Sequence, residues 1–75
     1  MNDAITIKQD GRPGEILRQI IREQGMTQQK VADLIHTDRR NVNQSLLRPE
    51  DMRLKTFISI ANATGYEVIL KKSEN

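Results

Sequence analysis

Four side chains in one short stretch, Arg39, Arg40, Asn43 and Gln44, have the chemistry to read nucleic-acid bases. An arginine guanidinium forks onto the two acceptors of guanine, and an Asn or Gln amide pairs bidentately with adenine. They fall within TQQKVADLIHTDRRNVNQSL, residues 27–46, which reads as two short helices joined by a tight turn. Thr27 and Asp38 each offer a short side-chain oxygen to the free N–H groups of a first helical turn, so both are N-cap residues. Val31, Ala32, Leu34 and Ile35 follow the first cap at helical spacing. Val42 and Leu46 follow the second, four apart and therefore on one face. The four polar residues are left on the outward face. A polar helix face by itself is most often merely solvated. Its place after a cap, in this two-helix spacing, is what favours contact with DNA.

Other chemistry is thinly represented. His36 is the single histidine and there is no cysteine, so thiolate metal sites and disulfides are excluded. No paired carboxylates stand at ligand or acid–base spacing, no serine sits in a nucleophile elbow, and the glycines form no phosphate cradle. The expectation is a protein with no enzymatic activity, no metal and no cofactor. The start, MNDAITIK, lacks a basic segment followed by an apolar run, and no apolar stretch approaches the ~20 residues that span a bilayer. With the lack of cysteine, this predicts a cytoplasmic protein without a membrane partner.

At 75 residues the chain is one domain with a small, mostly helical core. The apolar fraction is 36%, and the aromatics are Phe57 and Tyr66 alone. The net charge of +2 says little, although the pI is near 9.3. The distribution says more. Arg39, Arg40, Arg48, Arg53 and Lys55 cluster against only Glu50 and Asp51. A local basic surface on a near-neutral chain suits a sequence reader better than a charge-only binder.

The elements that must position those residues can be taken in order. Residues 4–8 (AITIK) alternate and form a strand candidate, and residues 9–14 (QDGRPG) form a loop. Residues of about 13–24 make a helix with Ile16, Leu17, Ile20 and Ile21 on one stripe, Pro13 in its first turn and Gly25 as its left-handed cap. Met26 and Val31 have the spacing of a hydrophobic staple around Thr27. Helices over about 28–35 and 39–47 follow, then a loop from Leu47 to Met52 containing Pro49. A helix over about 54–64 puts Leu54, Phe57, Ile58 and Ala61 on one face, with Ile60 beside it, and Gly65 ends it. A strand over about 66–72 points Tyr66, Val68 and Leu70 one way and Glu67, Ile69 and Lys71 the other. The last residues, 72–75, are a polar tail.

The two-helix stretch resembles the helix-turn-helix of phage-repressor-like regulators, the Cro/C1-type or XRE family. Ala32 stands where that family has a small residue that lets two helices cross closely. Val42, ten residues later, stands where an apolar residue locks the second helix down. The phrase IANATGY is similar to the family's last helix, so the resemblance spans Ile16 to Tyr66, roughly two-thirds of the chain. Two residues depart from the pattern. His36 stands where the family usually has a left-handed glycine, and Thr37 replaces a small aliphatic.

The resemblance implies a mainly α, four-helix lambda-repressor-like domain with the helix-turn-helix at helices two and three. It adds a short C-terminal strand, with the N-terminal strand candidate as a second. It implies sequence-specific binding of double-stranded DNA by a transcriptional repressor that sits on a palindromic operator as a homodimer. Arg39, Arg40, Asn43 and Gln44 would contact bases. Gln28, by family usage, with Lys30, Arg48, Arg53 and Lys55 would contact phosphates. Val42 and Leu46 would seat the recognition helix against Ile16, Ile20 and Phe57. Tyr66, Val68, Ile69 and Leu70 would form the dimer contact. The C-terminal strand is also similar to that of small antitoxins, whose main partner is a toxin protein and whose DNA binding is autoregulatory. The short polar tail argues mildly against that alternative. An architectural protein that bends DNA is a third reading.

Overall fold

The computed structural model describes residues 4–48 and 51–73. Four helices form the body: α1 (Pro13–Glu23), α2 (Gln28–Leu34), α3 (Arg39–Leu47) and α4 (Leu54–Ala63). All four begin where the caps and stripes predict, and none ends more than one residue from its expected end. Pro13 opens α1, where the missing N–H has no helical acceptor in any case. Thr27 Oγ1 accepts from the Lys30 N–H at 3.0 Å, and Asp38 Oδ1 accepts from the Asn41 N–H at 2.8 Å. Each cap satisfies one donor that the first turn of a helix leaves free, an interaction worth about 1 kcal/mol.

Three of the helices end in the same way. At the end of α1, the Gly25 N–H donates to the Arg22 carbonyl and the Met26 N–H to the Ile21 carbonyl, both at 3.0 Å. At the end of α2, His36 donates to Asp33 at 3.4 Å and Thr37 to Ala32 at 2.9 Å. At the end of α4, Gly65 donates to Asn62 at 3.0 Å and Tyr66 to Ala61 at 2.9 Å. This nested pair of bonds is the Schellman closure, and it demands a left-handed residue. The residues there have φ of 67° (Gly25), 60° (His36) and 91° (Gly65). Each reversal turns the chain back on itself. Met26 and Tyr66, the residues just after the two glycines, pack against the core as a result.

That core is one cluster drawn from all four helices: Leu17, Ile21, Val31, Ala32, Val42, Leu46, Phe57, Ile60 and Ala61. α3 packs against both α1 and α2, and α4 closes the cluster from α1 and α2. Thr64 is the one buried polar residue among those described, and its hydroxyl donates to the Ala61 carbonyl at 2.7 Å. Its burial therefore leaves no group unsatisfied.

Several expectations are corrected. No strand is present among the described residues, neither at 4–8 nor at 66–72. An isolated two-stranded pairing is marginal in water, so an alternating pattern becomes a strand only where something holds a partner beside it. The N-terminal segment instead runs into a tight turn, with the Gly11 N–H on the Lys8 carbonyl at 2.9 Å, and enters α1 directly. The expected alternation beyond Gly65 also fails. Tyr66 is half-buried, but Leu70, expected to point the same way, is 99% exposed.

In α4 the expected Phe57 and Ala61 are buried together with Ile60, and the stripe continues into the C-cap Thr64, but Leu54 and Ile58 are not part of it. Leu54, at the first helical position, overhangs the core at 68% exposure, and Ile58 is half-buried. Leu34 likewise lies outside the core, exposed at the end of α2. Val42 and Leu46 share their cluster with Leu17, Ile21 and Phe57 rather than with Ile16 and Ile20. Gly14, which the expected loop and the expected helix both covered, belongs to α1. No helix is long and apolar enough to cross a membrane, among the described residues.

His36 is the described non-glycine residue with positive φ, and a left-handed L-residue carries a penalty on the order of 1 kcal/mol. His36→Gly should therefore stabilise the domain by up to ~1 kcal/mol, raising Tm by about 4–8 °C for a chain of this size. A calorimetric melt in which the glycine variant unfolds below the parent would show that the His36 side chain contributes more than its backbone costs.

Candidate nucleic-acid interface

The segment from Ile35 to Asp38 connects α2 to α3 in a single reversal. The Thr37 N–H on the Ala32 carbonyl closes its first half, and the Asp38 cap opens α3 at once. Asn41 reinforces the corner: its amide Nδ2 donates to Thr37 Oγ1 at 2.9 Å. Thr37 is thus half-buried and has a specific partner. From the other side, Val42 and Leu46 are 1% and 3% exposed and face the core.

With the inward face set, the outward face follows from helix geometry. At about 100° per residue, Arg40 and Gln44 lie on the row opposite Val42 and Leu46. Arg39 and Asn43 form the next row toward one flank, and Asn41 and Ser45 lie on the other flank. Arg39, Arg40, Asn43 and Gln44 are all exposed. Their side chains make no hydrogen bond or ion pair among the described residues. Leu47, 59% exposed, continues between the two rows. It was not singled out from sequence, although its spacing of three and four from Gln44 and Asn43 already places it there.

The other cations flank this helix. Arg48 is the C-cap of α3 and Arg53 the N-cap of α4, both exposed. Lys55 lies in the first turn of α4. Together with Asn41 and Ser45 it lines a shallow, open groove of about 250 Å³, which places it beside the flank of α3. Gln28 is half-buried and Lys30 exposed, both in the first turn of α2. Pro49 and Glu50, read as part of the connecting loop, lie outside the described residues.

Arg12 and Glu15, 3.7 Å apart and exposed, form the ion pair found among the described residues. None of Arg39, Arg40, Arg48, Arg53 or Lys55 is neutralised within that set. No group of three or more residues able to hold a metal ion occurs among the described residues. Beyond α4, Tyr66 is turned onto the core, while Val68, Ile69 and Leu70 are 39%, 72% and 99% exposed. The residues expected to make a dimer contact are thereby divided between the core and the surface.

No family model, no curated protein and no solved structure matches the chain. The functional reading accordingly rests on the residues and their geometry.

The presentation of α3 depends on Val42 staying inward. Val42→Asp places an uncompensated charge at a 1%-exposed site. The several kcal/mol this costs is comparable with the roughly 4–11 kcal/mol total expected for a chain of this length. The cooperative thermal transition should disappear from circular dichroism. A variant that melts like the parent would mean that α3 is rotated and presents a different face.

Proposed function

We propose that this chain binds specific sequences of double-stranded DNA through α3, as a transcriptional repressor on a twofold-symmetric operator. α2 and α3 act as a helix-turn-helix, with α3 in the major groove. One observation carries the reading: the outward rows of α3 hold two Arg, one Asn and one Gln, all exposed and unengaged, while its other face is locked by Val42 and Leu46. Exposed side chains whose polar groups have no hydrogen-bond or ion-pair partner among the described residues are available to base edges. Leu47 on the same surface offers the apolar contact that a thymine methyl takes. Gln28, Lys30, Arg48, Arg53 and Lys55 supply phosphate contacts, which fix register without carrying sequence information.

Selection from a random DNA pool, followed by binding to the selected site, tests this directly. Arg40→Ala or Gln44→Ala should cost about 1–3 kcal/mol and relax preference at one position per half-site. Arg53→Ala should weaken binding to all sequences alike. If Arg40→Ala changes neither affinity nor preference, α3 does not read bases.

One recognition helix reads few base pairs, so a second subunit is needed, with half-sites about 34 Å apart. Val68, Ile69 and Leu70 are an exposed apolar run with no strand partner among the described residues, and pairing between two copies of it would bury them. Ile69→Pro removes one ladder donor and should convert a sedimenting dimer into a monomer, with operator binding falling in step. A parent chain that sediments as a monomer at micromolar concentration rules this pairing out. The same exposed run favours a second reading, an antitoxin whose C-terminal segment holds a toxin protein. Co-purification of a stoichiometric, untagged neighbouring protein with this chain would select that reading.

A further inference from the structure

Gly14 is the second residue of α1 and is buried, although glycine is the poorest helix former after proline. Its position explains its presence. A Cβ built on Gly14 would overlap the backbone carbonyl oxygen of Leu46, lying 2.9 Å from the carbonyl carbon and 3.3 Å from Cα. The obstacle is backbone, not the end of a flexible side chain. The start of α1 therefore rests directly on the last turn of α3, and any side chain there would force the two backbones apart by on the order of 1 Å.

The opposite end of α3 is held separately. Asp38 and Thr37 tie it through the cap bond at 2.8 Å and the Asn41 amide bond at 2.9 Å. A helix pinned at its N-terminus and pushed at its C-terminal turn tilts. Its first residues, Arg39 and Arg40, stay nearly in place, while Asn43, Gln44 and Leu47 move most. Packed interiors shift between discrete arrangements instead of absorbing such a push, and a bidentate amide–adenine pair tolerates little displacement.

We propose that Gly14 is a positioning residue for base recognition: its missing side chain sets the tilt of α3 and hence which base the C-terminal half of that helix reads. This rests on the reading of α3 as the base-reading helix. The experiment measures binding of the parent and Gly14→Ala to the selected operator and to its single-base variants. It is done well below the melting temperature of each, with Ile60→Val as a destabilised control that leaves the α1–α3 contact alone.

In Gly14→Ala, discrimination should fall about tenfold or more at the position relaxed by Gln44→Ala and persist at the position relaxed by Arg40→Ala. Adding Gln44→Ala to Gly14→Ala should then cost little more, whereas Ile60→Val should keep the parent's preference at both positions. An unchanged profile in Gly14→Ala, or a loss uniform over all positions and shared by Ile60→Val, overturns the proposal. Should Gly14→Ala fail to fold, the parent decides by NMR. An NOE between the Gly14 and Leu46 Hα protons supports the contact, and its absence overturns the proposal while leaving the DNA reading intact. A parent that binds DNA without any base preference sinks the DNA reading, and this inference with it.

Discussion

The hydrogen bond from the Thr37 N–H to the Ala32 carbonyl, 2.9 Å long, decides where α3 can go. It ends α2, forces His36 into the left-handed region and leaves Asp38 ready to cap the next helix. Everything on the outward face of α3 inherits its direction from that corner. A longer or looser connection would let α3 rotate, and Val42 and Leu46 would then compete with other apolar residues for the same space. Ala32, fully buried beneath the corner, is small enough to let α2 and α3 pack closely. Helix spacing follows the size of the side chains at the contact, so a methyl group brings two axes nearer than a leucine would.

A chain this short has few interactions to spare. Among the described residues only ten hydrophobics are buried, and burying one large aliphatic contributes about 1.5–3 kcal/mol before conformational entropy is subtracted. Backbone terms of about 1 kcal/mol, such as a cap or a left-handed turn, are then a substantial share of the total. This is why the ends of the helices carry so much of the order. Two N-caps and three Schellman closures hold segments that, at 7 to 11 residues, are too short to be stable helices alone.

Much of this was legible in the sequence, because local chemistry determines it. Thr27 and Asp38 announce helix starts by their side-chain oxygens. Gly25 and Gly65 announce ends, and the stripes at Leu17–Ile21 and Val42–Leu46 announce faces. The left-handed turn at His36 was visible only as a resemblance, since histidine carries no such signal of its own. What failed was whatever depends on a distant partner. The alternations at 4–8 and 66–72 are sound strand patterns, yet neither forms a strand among the described residues. Leu54 has the right angle for the core but stands one position beyond its edge. Gly14 looked like loop punctuation beside Pro13, because the reason for it lies 32 positions away at Leu46. The four polar residues of α3 were identifiable by type. That they are free of partners among the described residues is information that only the folded chain holds.

The scarcity of ion pairs has a further consequence. Among the described residues the fold uses one, the exposed Arg12–Glu15 pair, and such surface pairs contribute little. Burial and backbone hydrogen bonds, which ionic strength barely touches, hold the domain. The cations around α3 are the reverse case, with no intramolecular carboxylate to screen them within that set. Where such cations displace counterions from DNA, the logarithm of affinity falls with a slope of about −0.9 per phosphate neutralised. On the proposed reading, folding and DNA binding would respond to different variables, and added salt would release the nucleic acid from a domain that stays folded.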